Sequence, residues 1–497
     1  MKVHLLYPSQ EYDKSLAPYN RDELLFDLEL QVIIDKILQN KELEESFKDI
    51  LTSSLTTPDE IHYRQEIVKD ISNHQELFTK LLEQTFEIQE QQKKLFFLST
   101  IDRAGPILYS SQRFCQYGLE QILSIIKKLN RIHPEIKSKG LNNFIGNLNK
   151  LFTHEYCEEL KYHLDFARFD KQVVINVTLG DQLLFPKLII SDEVPIANPF
   201  KNLFRRLTQT APSFPIPERS ESIFRTLGQM NDTAKHDLAN LWLQVSQTFQ
   251  YFFEQLQVQL NFYLSIENLK CHLSENEFPF CFPSILPLGI NDNQFINHYD
   301  LALAIKDQKL PVANSLKTSN QPYLIITGAN QGGKTTFLRA RGQLQLLTQS
   351  GSIVAAESAT IMLCDGLFTH FKRQEDQTNS SGKLDEELKR ISQIIPYLKA
   401  NSMVLMNESF TSTNELEGSG LIKQITDAFE QCEINYINVT HLYSYAKLLH
   451  DESNKQRLFL RAERDDTTQR SFKLIPNPPL DTGFGIDIYE RKFGGKD

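Results

Sequence analysis

At 497 residues the chain exceeds one typical domain, and about three is the soft expectation. Its 40% hydrophobic and 23% charged residues exclude a disordered chain and fit a folded protein. A net charge of −10 excludes a chain held to nucleic acid by bulk charge, though a local basic surface stays open.

Six cysteines (Cys115, Cys157, Cys271, Cys281, Cys364 and Cys432) are scattered without CxxC or CxxxC spacing. That argues against a zinc module or a disulfide framework and fits a reducing compartment. The opening MKVHLLYPSQ lacks the apolar core of a signal peptide, and no apolar run approaches the ~20 residues that cross a bilayer. A cytoplasmic protein with no membrane association is expected.

Residues 20–170 read mostly as helix. ELLFDLELQVIIDKILQNKELEESF and HQELFTKLLEQTFEIQEQQKKLFFL repeat apolar positions at three-to-four spacing, with Pro58 and Pro106 at loop or cap positions. Val173–Val177 and Leu183–Ile190 are β-rich runs around a hairpin-like Gly180-Asp181. Pro195 to Pro217 reads as a loop or clasp, and Asp232–Glu267 as a long amphipathic helix whose aromatic stripe suits packing. Lys127, Lys128, Arg131, Lys137 and Lys139, and separately Lys201, Arg205 and Arg206, form basic segments whose plainer reading is a solvated face. The aromatic-rich FPFCFPSILPLGI closes this region. The expected division is therefore 1–290, mostly helical with a small β insertion near 172–190, and 291–497, an α/β domain.

The second region carries the chemistry. From the apolar run Tyr323–Ile326 the chain enters Gly328, Ala329, Asn330, Gln331, Gly332, Gly333, Lys334 and Thr335, which satisfies the phosphate-binding pattern GxxxxGK(S/T). Glycines let backbone N–H groups turn onto phosphate oxygens, Lys334 reaches the β and γ phosphates, and Thr335 offers a hydroxyl to Mg²⁺. Thr336 closes the nucleotide-binding set. About 70 residues on, the strand-like MVLMN ends in Asn407-Glu408 at the Walker B position. Glu408 there can orient or deprotonate the attacking water. Asn407 stands where an aspartate normally helps to hold the metal; its amide oxygen adds no charge, which predicts weaker Mg²⁺ binding and slow hydrolysis. A further strand ends in Thr440-His441, where an imidazole can sense the γ-phosphate or hold the water, or can be structural. Ser380, Ser381 and Gly382 precede the helix-like LDEELKRISQIIPYL, whose N-terminus suits an anion.

Taken together, TGANQGGKTTFLR, GSIVAAESA, DGLFT, Asn407-Glu408 with Ser412-Thr413-Asn414 and Gly418, and Thr440-His441 resemble the ATPase head of the DNA mismatch repair MutS family, in that order over roughly residues 321–450. The resemblance implies an ABC-type ATPase head that binds ATP and Mg²⁺. It also implies a homodimer or heterodimer, of which the homodimer is expected, with two composite sites, Ser380 to Lys383 completing the partner's. Glu408 carries over as the catalytic base, His441 as the switch histidine, Lys334 as the phosphate lysine and Asn330 as the asparagine beside the loop. Upstream, YRQEIV resembles the start of the family's helical core, so that 1–290 reads as core and levers. Helical sequence begins too early for the family's mismatch-reading and connector domains, and Phe252-Phe-Glu254 sits in a helix, so a shortened relative without the usual mismatch recognition is expected. Two functions remain: an ATP-dependent conformational switch on DNA, and a nucleotide-gated protein scaffold with slow or vestigial hydrolysis.

Overall fold

The computed structural model describes residues 1–13, 15, 17–97, 104–166, 175–179, 186–190, 221–328, 332–373, 382–463 and 471–479. The segment from Pro195 to Pro217 and the basic residues Lys201, Arg205 and Arg206 lie outside them. No helix among the described residues is long and apolar enough to cross a membrane.

The N-terminal half is helical, as its periodicity predicts. The helices are α1 (Arg21–Asp27), α2 (Leu30–Ile37), α3 (Glu44–Thr52), α4 (Pro58–Asn73), α5 (Gln75–Phe96), α6 (Ala104–Ile132), α7 (Lys139–Leu151) and α8 (His154–Phe166). Pro58 occupies the first turn of α4, where its missing N–H removes no hydrogen bond. The apolar run from residue 24 to 37 is not one helix. It breaks at Leu28-Glu29, where Glu29 takes a left-handed φ of 49°. The reason is tertiary: Gln343 donates to the Leu28 carbonyl at 3.0 Å, and Arg339 holds the Glu29 carboxylate. The β-rich runs form an antiparallel hairpin of β1 (Ile175–Leu179) and β2 (Pro186–Ile190), with Ile175 opposite Ile190. Helix α9 then runs from Glu221 to Glu275.

Contacts divide the chain into two compact units that cross the expected boundary at 290. One holds residues 83–134 and 145–254; the other holds residues 2–82, 135–144 and 255–497. In the first, Cys115, Leu119, Ile122, Ile125 and Leu129 are buried along one stripe of α6. The side chain of Phe249, on α9, closes on Gly118 of α6. Phe252 and Phe253 are buried as well, which makes the Phe-Phe-Glu tripeptide part of the packing.

The second unit contains two sheets. Six strands run in the order β12-β11-β6-β10-β9-β8: β12 (Leu474–Pro476), β11 (Arg457–Ala462), β6 (Tyr323–Thr327), β10 (Asn435–Val439), β9 (Met403–Asn407) and β8 (Leu367–Phe371). All neighbours are parallel except β11 and β12. Four strands form the second sheet in the order β3-β7-β4-β5: β3 (Ser284–Leu286), β7 (Ser358–Met362), β4 (Gln294–His298) and β5 (Asn314–Lys317). Residues of β6, β9 and β10 are near-continuously buried because a parallel sheet is covered on both faces. One face packs on α12 (Lys383–Ile394), α13 (Glu415–Gln431) and α14 (Tyr443–Asp451), through Ile325, Val404, Met406, Tyr436, Phe410, Ile422 and Tyr445. Between α9 and β6 lies the short α10 (Leu301–Asp307), capped by Asp300.

Helix α11 (Lys334–Ser350) is buried on nearly all sides, which explains its weak amphipathicity. Its buried glutamines satisfy backbone carbonyls around the helix: Gln345 donates to Met362 O at 2.9 Å, and Gln349 to Leu55 O and Cys364 O at 2.8 Å each. The fully buried Arg64 donates to Ser350 O at the C-terminus of α11 and to Leu6 O, so its charge meets the negative end of the helix dipole. Residues 3–6 pair with no strand among the described residues. Instead the Gln259 amide accepts from Leu5 N and Leu6 N at 2.8 and 3.0 Å and donates to Val3 O at 3.0 Å.

Candidate functional site

The β6–α11 junction is the strand–loop–helix that the phosphate-binding pattern predicts. Gly328 leaves β6 with φ +124°, and a Cβ there would lie 3.1 Å from the Cβ of Ala462 on the neighbouring β11, so the turn admits only glycine. Gly332 is buried, and Gly333 caps α11, whose first residues are Lys334, Thr335 and Thr336. The Lys334 ammonium donates to the Gly328 carbonyl at 2.8 Å. Burial pulls its pKa down to about 8, and the Glu408 carboxylate pulls it partly back up. An ammonium so placed gains from an anionic ligand.

Parallel register gathers the other side chains at the same sheet edge. Val439 of β10 pairs with Ile326 of β6 on one side and with Asn407 of β9 on the other. Hence Thr327, which ends β6, and Glu408 and Thr440, which follow β9 and β10, lie at three adjacent strand tips. Glu408 N donates to Val439 O at 2.8 Å and Thr440 N to Ile326 O at 3.0 Å. The His441 Nε2 stands 2.8 Å from Glu408 Oε1. That bond holds the Glu408 carboxyl below the usual carboxylate range, against the opposing effect of burial. Glu408 is therefore ionised at neutral pH. The Thr335 hydroxyl donates to Asn407 Oδ1 at 3.1 Å, joining the two candidate metal positions.

The donor set fits a magnesium–triphosphate. Lys334 and the α11 N-terminus suit phosphate oxygens. Thr335 and Asn407 supply neutral oxygens, and Mg²⁺ accepts few protein ligands when phosphates provide the rest. No cluster of three or more His, Cys, Asp or Glu that could hold a metal unaided occurs among the described residues. Ala329, Asn330, Gln331, Ser380 and Ser381 lie outside the described residues. Gly382 is described, as the exposed N-cap of α12.

A layer behind Glu408 was not legible in the sequence. Glu408 and Phe410 both adopt left-handed backbone, φ 54° and 59°, which costs non-glycine residues about 1–2 kcal/mol each. Ser409 between them is buried, its Oγ 2.7 Å from His370 Nδ1. His370, fully buried in β8, sets its Nε2 3.1 Å from the Glu387 carbonyl and stacks on the Phe410 ring. Burial pushes its pKa down to about 4, so the ring is neutral. The Glu387 carboxylate accepts from Phe410 N. Thr411 Oγ1 donates to Glu408 O at 2.8 Å, and Gly418 of α13 passes so near that a Cβ would stand 2.4 Å from Phe410 O. His370 within LFTHF reads as core and Glu387 as one face of an amphipathic helix, so no local signal marks either.

Comparison with known proteins agrees with this geometry. The family profile "MutS2 N-terminal domain" matches residues 56–276, and "MutS domain V" matches residues 324–493, which contain the loop and all three strand tips. The DNA mismatch repair protein MutS of Prochlorococcus marinus is 29% identical over 164 residues, 33% of this chain and 18% of that protein. Msh2 of Dictyostelium discoideum is 26% identical over 261 residues, 50% of this chain and 28% of that protein. Endonuclease MutS2 of Halothermothrix orenii is 23% identical over 390 residues, 76% of this chain and 44% of that protein. The chain thus spans less than half the length of these relatives. With one profile on its helical half and the other on its phosphate-loop half, the chain belongs to the MutS family, as a divergent member that resembles MutS2.

Proposed function

We propose that the protein is an ATPase whose nucleotide cycle drives a conformational switch on DNA, without mismatch recognition of the usual kind. The observation that carries the ATPase part is the Glu408–His441 pair at 2.8 Å, on strand tips beside the one that feeds Lys334. Thr335 and Asn407 would hold a magnesium ion, which would supply charge neutralisation at the phosphates. Lys334 neutralises the phosphate oxygens within reach of its ammonium. Glu408, ionised and oriented by His441, accepts the proton of the attacking water, and His441 keeps the carboxylate aimed while reporting on the γ position. Asn407 leaves the metal position short of one negative charge, which favours slow turnover.

All three relatives compared carry mismatch repair or endonuclease in their names, and DNA comes to this chain from them. Exposed Lys127 and Arg131, one turn apart on α6, suit phosphate contacts. The family's composite site makes a homodimer the working assembly, with Ser380 to Gly382 of one subunit meeting the nucleotide of the other. The free cysteines fit a cytoplasmic setting. The neutral Asn407 also supports a second reading, a nucleotide-gated protein scaffold in which hydrolysis is vestigial.

ATP turnover and filter binding with homoduplex, mismatched and four-way DNA, at two salt concentrations, separate the two. The switch predicts DNA-dependent turnover and binding that weakens steeply with salt, equal for matched and mismatched duplex. Absence of binding to every DNA at low salt sinks the DNA reading and leaves the scaffold. Lys334→Ala should abolish nucleotide binding, whereas Glu408→Gln should keep binding and lose turnover by about 10²–10⁴-fold.

A further inference from the structure

The turn that carries Glu408 is held from behind by one residue acting twice. Glu387 accepts from Phe410 N through its side chain, and its carbonyl lies 3.1 Å from His370 Nε2. A carbonyl only accepts, so Nε2 carries the ring proton and donates it. In the neutral ring Nδ1 is then an acceptor, and the single Ser409 hydroxyl proton is shared between Nδ1 at 2.7 Å and the His370 carbonyl at 3.0 Å, both on the same residue. Both residues that follow Glu408 are thereby tied to α12, one directly and one through His370. Neither bond touches the nucleotide side of the sheet edge.

We propose that Glu387 and His370 are positioning residues for Glu408, fixing the left-handed turn from Glu408 to Phe410 so that the carboxylate faces the attacking water. The proposal rests on the ATPase reading above and adds to it a route by which α12 acts on the base. Because Glu387 lies in α12, a displacement of that helix is carried to the turn through the Phe410 and Ser409 bonds. Nucleotide affinity, set by Lys334 and the loop, does not depend on them.

The test uses the full chain, with kcat and KM for ATP from steady-state turnover and Kd from a fluorescent ATP analogue. Glu387→Ala removes the acceptor for Phe410 N. It should lower kcat by about 10- to 100-fold, the scale of an ångström-sized misplacement of a catalytic group, with Kd within about twofold. Glu387→Gln keeps an acceptor oxygen and should restore kcat to within about threefold of wild type. Ser409→Ala cuts only the His370 branch, should lower kcat less, and carries the test if Glu387→Ala fails to fold. Wild-type kcat in a folded Glu387→Ala, or in Ser409→Ala should that be the only folded variant, overturns the proposal. So does equal damage by Ala and Gln at 387, or a rise in Kd that parallels the fall in kcat. Glu408→Gln runs alongside. If wild type turns over and Glu408→Gln does not, the ATPase reading stands and the Glu387 result is judged alone. If the two turn over equally, the base assignment fails first and the positioning role falls with it.

Discussion

Gly418 and Gly420 lie two residues apart on α13, one buried and one exposed, and they should respond oppositely to the same substitution. A Cβ at 418 would stand 2.4 Å from Phe410 O, at least 1 Å inside the 3.4 Å where ordinary contact begins, and the obstacle is backbone. Either α13 or the turn must shift by about that distance. The turn carries Glu408, and a 1 Å displacement of a catalytic group costs up to about 100-fold in rate. Overpacking costs about 1–3 kcal/mol, offset by about 1 kcal/mol from replacing glycine within a helix. A Cβ at 420 meets nothing within 4 Å, so Gly420→Ala keeps the helix gain alone. The expectation is that Gly418→Ala loses turnover by about 10- to 100-fold and is up to about 2 kcal/mol less stable than wild type. Gly420→Ala should keep its turnover and gain up to about 1 kcal/mol. Urea unfolding and ATP turnover on the three proteins decide it. Wild-type turnover and stability in Gly418→Ala would refute the claim that α13 fixes the turn.

Asn407→Asp adds a negative charge beside Thr335 and should lower the magnesium concentration for half-maximal turnover while raising kcat; an unchanged magnesium requirement contradicts the weak-metal reading. His441→Ala removes the bond that depresses the Glu408 pKa. In wild type the carboxylate's contribution to stability is present above its unfolded pKa and lost only as pH falls through the lower folded value. The variant should therefore show the acid limb of turnover at higher pH, and a superimposable pH profile counts against the pairing. Arg457, buried on β11, makes a bidentate pair with Glu430 of α13 at 2.7 and 2.9 Å and also reaches Glu452. Arg457→Met leaves the part-buried Glu430 without its cation and should cost up to about 3–5 kcal/mol in urea unfolding, and a loss under 1 kcal/mol would show the pair to be replaceable.

The candidate site was legible because its parts are local. Tyr323–Thr327 followed by the glycine-rich loop, MVLMN ending in Asn407-Glu408, and the strand ending in Thr440-His441 are each an apolar run with a polar tip. Parallel pairing brings such tips to one edge whatever the strand order. The order itself was not legible, since β6 lies between β10 and β11, strands more than 100 residues later. The break at Leu28-Glu29 was hidden for the same reason: its cause is Arg339 and Gln343, over 300 residues away. His370 and Glu387 were missed because their partners, Ser409 and Phe410, lie beyond any local window.

The Gln259 amide that receives residues 3–6 has a consequence in time. Those residues are synthesised 253–256 positions before the glutamine that binds them. At roughly 5–20 residues per second, about 10–50 s of translation separates the two. Val3, Leu5 and Leu6, fully buried in the finished fold, spend that interval without their partner. Residues 3–6 are thus made early and seated late, and over that stretch of synthesis they are open to chaperones and proteases.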